Sequence, residues 1–229
     1  TIVLDTVMSG HASAEDLAGV SIGGSIWIPV FLFSLGLVLA LTPVVAHAIG
    51  AKRPQEVPIA VYQSFWIALV AGIAACFILM NMEPVLRLTD IDLKTRTIAA
   101  EYLFAIAFGM PAILAYNVLR AYADGLSLTR PAMITSIIGL SINAPLNYVL
   151  IYGKWGFPAL GGVGCGWASA ISLWVSFIFM GCYVTYAKSF QHINLFDKIY
   201  APKWSEILKQ LKLGLPIAIM FLVESTMFS

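Results

Sequence analysis

Five long stretches of this chain carry no Asp, Glu, Lys or Arg, and they constrain the fold more than any other feature. They cover residues 17–51, 57–82, 102–119, 131–153 and 155–187. An α-helix needs roughly 20 predominantly apolar residues to cross the hydrocarbon core of a bilayer, and each run is close to that length or longer. Only 11% of the residues are charged, whereas soluble domains have about 25%. The sequence therefore predicts an all-α polytopic membrane protein with five complete spans and a partial span at each end.

The basic residues between the spans indicate the topology. When successive loops are assigned alternately to two sides, one side receives Lys52, Arg53, Arg120, Arg130, Lys188, Lys198, Lys203, Lys209 and Lys212, and the other receives Arg87, Lys94, Arg96 and Lys154. Lys and Arg near helix ends favour the cytoplasm, so the richer side is predicted to be cytoplasmic. The net charge of only +1 gives no reason to expect a nucleic-acid partner, and the expected surroundings are a lipid bilayer.

The longest connection between spans, residues 188–212, differs from the others. Its apolar side chains fall on one helical face, while Glu206, Lys209 and Gln210 point elsewhere; the apolar positions are Trp204, Ile207, Leu208 and Leu211. This pattern predicts a short amphipathic helix at the membrane interface before the last span. Such a linker often joins two halves of a transporter, although it equally fits an ordinary cytoplasmic loop.

The last span repeats a pattern found in the first. When Glu224 in FLVESTMFS is aligned with Asp5 in TIVLDTVMSG, both acids follow two apolar residues and precede a hydroxyl and then a Met. Both also lie on spans that run outward. Parallel repeats about an axis along the membrane normal are a known transporter architecture. We therefore expect one repeat, clipped at its start, plus the first helix of a second, within a protein roughly twice as long.

The two acids in these matching spans are candidate functional residues. A carboxylate at the bilayer centre costs about 2.5–3.5 kcal/mol on insertion scales, so an acid inside a span is by default a functional hypothesis. Each acid also has an alternative interpretation. Asp5 would be a solvated end residue if the chain began at Thr1, and Glu224 would be a structural acid bonded to a neighbouring helix.

The stretch SINAPLNY adds a third polar group. Asn143 and Asn147 are four residues apart and share one helix face. Pro145 lies between them, lacks an N–H and leaves the carbonyl of Ser141 without its intrahelical partner. Amide and carbonyl oxygens facing a carboxylate suit a hard monovalent cation such as Na⁺, or a shared proton. The alternative is that the two amides only bond neighbouring helices together and that Pro145 is a kink.

Small residues dominate the stretch GGVGCGWASAIS, which predicts close helix packing. Cys165 and Ser169 lie four residues apart on this helix and are weaker candidate ligands.

The sequence has no HExxH, GxSxG or Walker A motif and no CxxC spacing, so neither an enzyme nor a zinc site is indicated, and no cofactor is expected. Unless an ATPase partner exists, transport would then be driven by an ion gradient, with Na⁺ or H⁺ as the coupling ion.

Three longer motifs carry a family resemblance. The stretches LALTPVVAHAIGAKRP, YADGLSLTRPAM and INAPLNYVLIYGKWGFPALGGVGCGWASAIS resemble the NorM-type bacterial branch of the multidrug and toxic compound extrusion (MATE) family. The resemblance covers essentially the whole chain. It implies twelve helices in two pseudo-symmetric six-helix lobes. Residues 1–187 would form the N-terminal lobe, with its first helix truncated, 188–204 the cytoplasmic linker between the lobes, and 205–229 the amphipathic start and first part of helix 7.

The resemblance also implies a function. It predicts a multi-pass antiporter of the bacterial inner membrane that exports cationic amphipathic drugs or dyes in exchange for Na⁺ or H⁺ and so gives antibiotic resistance. Asp5 matches the family's acid on helix 1, Asn143 and Asn147 the polar pair facing it, and Glu224 the acid on helix 7, while Ser169 stands where Thr is common. The missing C-terminal half would be the essential partner.

The main alternative is a flippase or exporter of lipid-linked oligosaccharides with the same helical plan, and a channel or membrane scaffold is a more distant one.

Overall fold

A computed structural model describes residues 2–88, 91–190, 193, 195 and 198–227. Within those ranges the chain forms only helices and connecting turns. The α-helices are α1 (Ile2–Ala12), α2 (Ala14–Leu39), α3 (Leu41–Gly50), α4 (Glu56–Met80), α5 (Glu83–Leu86), α6 (Leu93–Ala107), α7 (Met110–Gly125), α8 (Arg130–Tyr152), α9 (Gly162–Tyr186) and α10 (Trp204–Met227), with one 3₁₀ turn at Lys188–Phe190.

The helices agree with the spans predicted from the charge-free runs. Four stretches are long and apolar enough to cross a membrane by length and composition, namely Ala14–Gly50, Glu56–Leu86, Arg130–Tyr152 and Gly162–Tyr186. The fifth predicted span is the pair α6 and α7, which bends by 45° at its break. The chain is therefore an all-α, multi-pass protein.

The break between α6 and α7 has a local cause. Gly109 precedes α7, and Pro111 lies in the first turn of that helix, where a missing N–H costs little. A Cβ atom on Gly109 would lie 2.8 Å from Cδ1 of Leu173 and 3.2 Å from Cα of Ala170. Gly109 therefore lets the bent span approach α9 closely.

The glycines of GGVGCGWASAIS pack α9 tightly against two neighbours, as the sequence predicts. A Cβ atom on Gly164 would lie 2.8 Å from the backbone carbonyl of Leu150 in α8. One on Gly166 would lie 2.9 Å from Cβ of Ala105 in α6. The charge-free run begins at Trp155, but α9 begins only at Gly162. The residues in between form a turn that is bounded by Gly153 and Gly161, whose φ angles are positive, at 64° and 55°.

Hydrogen bonds and one ion pair join the helix ends where α1, α2, α6 and α9 meet. The carboxylate of Asp16 accepts bonds from the Gly162 N–H at 2.7 Å and from the Ser13 hydroxyl at 2.7 Å. Lys94, in the first turn of α6, pairs with Glu15. Asp92 caps α6, and the hydrogen bond from the Thr95 N–H lowers the pKa of its carboxyl.

The last helix corrects one expectation. The predicted short surface helix is not separate, because residues Trp204–Met227 form one continuous helix, α10. Gln210 does not point away from the protein either: it is 4% exposed and bonds to α4. Helical amphipathicity distinguishes apolar from polar faces, but it cannot show that a polar face meets another polar group.

Candidate cation site

Three helices bring polar side chains together around Asp5, which is only 4% exposed. α1 carries the carboxylate and packs against α2, α8 and α9. The hydroxyl of Tyr152, at the end of α8, donates to the Met8 carbonyl at 3.1 Å and holds α1 against α8. The interpretation of Asp5 as a solvated end residue is therefore wrong.

The two asparagines of α8 form the first side of the site, and both are fully buried. Their spacing of four residues places them one turn apart, and α8 continues through Pro145 as far as Tyr152. Asn147 Nδ2 donates to Asp5 Oδ1 at 2.5 Å and to Asn143 Oδ1 at 3.1 Å. The structure therefore brings the predicted amide pair and the acid together, with Asn147 in direct contact with Asp5 and Asn143 linked to it through Asn147.

α9 forms the second side of the site through Ser169 and Cys165. The Ser169 hydroxyl donates to Asp5 Oδ2 at 3.0 Å and accepts from Asn143 Nδ2 at 3.3 Å. The thiol of Cys165 lies 3.6 Å from the backbone carbonyl oxygen of Asp5. Asp5, Asn147, Asn143 and Ser169 therefore form a closed ring of hydrogen bonds that joins α1, α8 and α9.

One acceptor atom in this ring of side chains makes no hydrogen bond. Asn147 Oδ1 is buried and has no hydrogen-bond partner. A buried carbonyl oxygen without a partner costs about 1–3 kcal/mol, so it calls for an explanation. The amides do bond helices together, as the alternative interpretation supposed, but that role leaves this acceptor oxygen unexplained.

The ring combines one carboxylate with neutral partners only. In the part of the chain that the structure describes, no three His, Cys, Asp or Glu side chains come together as a metal-binding group. A single carboxylate bonded to an amide whose oxygen has no partner offers hard oxygen ligands and one negative charge. Such a donor set fits a small monovalent cation, and the carboxylate alone fits a proton.

A cavity of about 500 Å³ extends from this ring between α2, α7, α8 and α9. Asp5 and Ser169 lie on its wall, and Asn117, Ser172, Ser176 and Arg120 line it further along. Sequence reasoning missed Asn117 and Ser172. The first is an amide inside a charge-free run, and the second shares the helical face of Ser169, so both carried a detectable signal.

Glu224 is the one candidate that the structure does not bring to this ring. It lies near the end of α10 and is exposed. Its predicted role in a second cation site stays a prediction.

The comparisons with known proteins agree with this architecture. The MatE family model matches residues 2–149. The chain is 39% identical over 226 residues to multidrug resistance protein NorM of Vibrio cholerae, a match that covers 99% of this chain and 50% of that protein. It is 45% identical over 229 residues to multidrug resistance protein MdtK of Yersinia pestis, again covering 99% of this chain and 50% of the relative. The chain thus spans about half the length of the curated relatives it matches.

A solved structure supports the fold independently. The eukaryotic MATE transporter AtDTX14 superimposes with a TM-score of 0.85 at 21% sequence identity, over 98% of this chain and 49% of that one. At this identity the likeness concerns the fold alone. It agrees with the prediction that the chain forms one lobe of a two-lobe helical fold.

Proposed function

Because the chain belongs to the MatE family, we propose that the protein exports cationic amphipathic compounds from the cell in exchange for Na⁺ or H⁺. The protein is a multi-pass protein of the bacterial inner membrane. Its relatives are named as multidrug resistance proteins, which supports multidrug efflux as the activity of the whole protein. No observation favours the flippase alternative.

The observation that carries this proposal is the buried ring around Asp5. We assign the coupling cation to the Asp5 carboxylate, with Asn147 Oδ1 as a neutral oxygen ligand and Asn143 and Ser169 as the groups that orient both. One charge moved across the membrane is worth about 2.3 kcal/mol per 100 mV, so a site that binds one cation can draw useful work from an ion gradient. Cys165 is a weaker contributor because its thiol faces the backbone of Asp5 and not the carboxylate.

The choice between the two ions depends on the amide oxygen. A Na⁺ ion needs several oxygen ligands, and Asn147 Oδ1, the unpartnered acceptor of the amide that bonds to Asp5, is available as one of them. A proton needs only a carboxylate oxygen. Glu224 would serve a corresponding site in the second lobe, in line with the repeat that the sequence suggests.

The experiment is dye efflux from vesicles that contain the full-length transporter. A Na⁺ gradient and a pH gradient are imposed one at a time, and efflux of a cationic dye is followed by fluorescence. We expect one gradient to drive efflux in the wild type and neither to drive it in Asp5→Asn. Equal efflux with and without either gradient would refute the cation-coupled mechanism.

A further inference from the structure

Two apolar crevices lie along α4, next to the segment that leads into α10. The larger crevice has a volume of about 660 Å³ and lies between α4 and the first turns of α10. The smaller crevice has a volume of about 270 Å³ and lies between α4, α7 and Ile199. The larger one is lined by, among others, Val70, Ala74, Ile207 and Leu211, and the smaller one by Leu69 and Pro111. Apolar or aromatic side chains form the walls of both, so each crevice suits a hydrocarbon chain.

Trp66 separates the two crevices. Its side chain lines both of them, and its indole N–H donates to the Tyr200 carbonyl at 3.3 Å. Tyr200 lies between Ile199, which lines the smaller crevice, and Pro202, which lines the larger one. The segment before α10 therefore crosses from one crevice to the other at Trp66.

The buried side chain of Gln63 holds this segment against α4. Gln63 is 0% exposed. Its Nε2 donates to the Ala201 carbonyl at 3.1 Å, and its Oε1 accepts from the Lys203 N–H at 2.8 Å. A buried amide with both groups bonded favours one geometry, so the backbone between the two crevices is fixed in place.

The surface around the crevices is aliphatic and exposed. Leu69 and Val70 are 45% and 67% exposed. Both belong to the stretch Glu56–Leu86, which is long and apolar enough to cross a membrane. Exposed aliphatic side chains on a span are suited to contact lipid tails or another helix. The charges at the mouths of the crevices distinguish between these two occupants.

The first turns of α10 have the orientation expected at a membrane interface. Trp204, Ile207 and Leu211 line the larger crevice, whereas Glu206 and Lys209 line a different, polar cavity. An amphipathic helix at the interface turns its apolar face to the acyl chains and its polar face to water. Trp204 is 74% exposed, and tryptophan is enriched at the level of the lipid headgroups. The mouth of the larger crevice therefore lies at headgroup level.

Two exposed lysines stand at the mouths of the crevices. Lys198 directly precedes Ile199 of the smaller crevice, and Lys203 lies between Pro202 and Trp204 of the larger one. Residues 198–212 contain four lysines and one glutamate, and that glutamate is already paired with a lysine at 2.7 Å. The segment therefore has surplus positive charge on the predicted cytoplasmic side, where basic side chains attract anionic lipids.

We propose that the two crevices and the two lysines form a binding site for one anionic diacyl phospholipid of the cytoplasmic leaflet. One acyl chain lies in each crevice, on either side of Trp66, and the phosphate lies beside Lys198 and Lys203. A neighbouring helix has no use for lysines at both mouths, and a zwitterionic lipid gains less from their surplus charge. This site goes beyond the transport activity proposed above and does not depend on it.

The first experiment maps the lipid on the full-length transporter. The protein is placed in nanodiscs of phosphatidylcholine that contain a small fraction of phosphatidylglycerol with a photoreactive group on its acyl chains. After irradiation, the labelled peptides are identified by mass spectrometry. We expect labels concentrated in residues 65–74 and 199–211, and several-fold less labelling there by phosphatidylcholine with the same photoreactive chains. Equal labelling by the two lipids, or no label at the crevices because the second half of the protein fills them, would overturn the proposal.

Lysine variants test the headgroup contact. Binding of phosphatidylglycerol to the detergent-purified, full-length transporter is measured by native mass spectrometry. Lys198→Gln and Lys203→Gln should each weaken binding about 5-fold, and the double variant about 30-fold, because each removes one charge beside the anionic headgroup. The matched control is Lys52→Gln, at an exposed lysine in the turn between α3 and α4, which should bind as the wild type does. A double variant that binds like Lys52→Gln would contradict the headgroup contact.

A last variant tests the larger crevice. Ala74 is exposed and lines this crevice, so Ala74→Trp fills it without entering the protein core. It should lower phosphatidylglycerol labelling of residues 204–211 several-fold. Ile73→Trp is the matched control, because Ile73 is the neighbouring position of α4, is 58% exposed and lies outside both crevices. Equal labelling in the two variants would show that no acyl chain occupies the crevice. If Ala74→Trp does not fold, the wild-type labels and the lysine variants still decide the matter.

Discussion

Asn147→Leu tests the site most directly, because Asn147 both bonds to Asp5 and carries the unpartnered oxygen. Leu has nearly the same size, so the change removes polar atoms without opening a large cavity. It takes away the hydrogen bonds to Asp5 Oδ1 and to Asn143 Oδ1, together with the free acceptor Oδ1. The change therefore removes the proposed cation ligand and a hydrogen bond to the Asp5 carboxylate at once.

The expected size of the effect follows from these contacts. A hydrogen bond to a charged group contributes about 1.5–3 kcal/mol, so Asn147→Leu should raise the half-saturating Na⁺ concentration about 10- to 150-fold in a Na⁺-coupled transporter. Asn143→Leu removes only bonds between neutral groups, at about 0.5–1.5 kcal/mol each, and should have the smaller effect. If H⁺ is the coupling ion, Asn147→Leu should not weaken coupling in this way, because a proton does not need the amide ligand.

The assay is dye efflux from vesicles over a series of Na⁺ concentrations, and the double variant supplies the sharpest criterion. Asn143 and Asn147 share a hydrogen bond, so the double variant should lose less than the sum of the single variants, by about 0.5–3 kcal/mol. Asn81→Leu, at an exposed position, is the matched control and should resemble the wild type. Additive losses would show that the two amides serve separate sites. A result for Asn147→Leu equal to that of Asn81→Leu, under both gradients, would leave the amides with no role beyond joining helices.

Three further variants test the site and its scaffold. Asp5→Asn should abolish gradient-driven dye efflux while leaving the amount of folded protein in the membrane unchanged, and wild-type efflux would contradict its role. Gly164→Ala should lower the free energy of unfolding by about 1–3 kcal/mol because its Cβ meets the backbone of α8, whereas Gly24→Ala, with open space around it, should be neutral or stabilising in the same chemical denaturation assay. Asp16→Ala should cost about 1–3 kcal/mol in that assay, because it leaves the first N–H of α9 without its partner, and the exposed Glu15→Ala should cost clearly less; equal losses would mean that the cap does not stabilise α9.

The sequence was sufficient to predict the spans and the centre of the site. Charge-free runs of membrane length identify spans because a bilayer penalises every charged residue inside it. The facing of Asp5 by Asn143 and Asn147 was expected from the family resemblance, because the scarcity of polar groups in the spans does not by itself identify which helices meet. Ser169 was harder to assign, because a single hydroxyl in a helix can bond to its own backbone, as Ser172 does to the Ala168 carbonyl.

Other features depended on tertiary contacts that periodicity does not contain. The charge-free run 155–187 begins several residues before α9, because an uncharged turn and an uncharged helix look alike in a count of charges. The face of α10 that carries Gln210 looked solvent-exposed because its neighbours Glu206 and Lys209 are charged. Only the position of Ser64 on α4 shows that Gln210 is a buried bonding group.

The site around Asp5 has a further consequence for how the proposed transporter is divided. All the groups that bond to the Asp5 side chain come from α8 and α9, which pack on α1 and on each other within one helical body. The proposed cation site is therefore built from one helical body, whereas Glu224 lies near the end of α10, where its side chain is exposed. If both acids bind cations, the two cations occupy separate sites on different helices. Coupling then requires that a bound cation change how the lobes fit together, because the two carboxylates do not share a ligand in the residues described here.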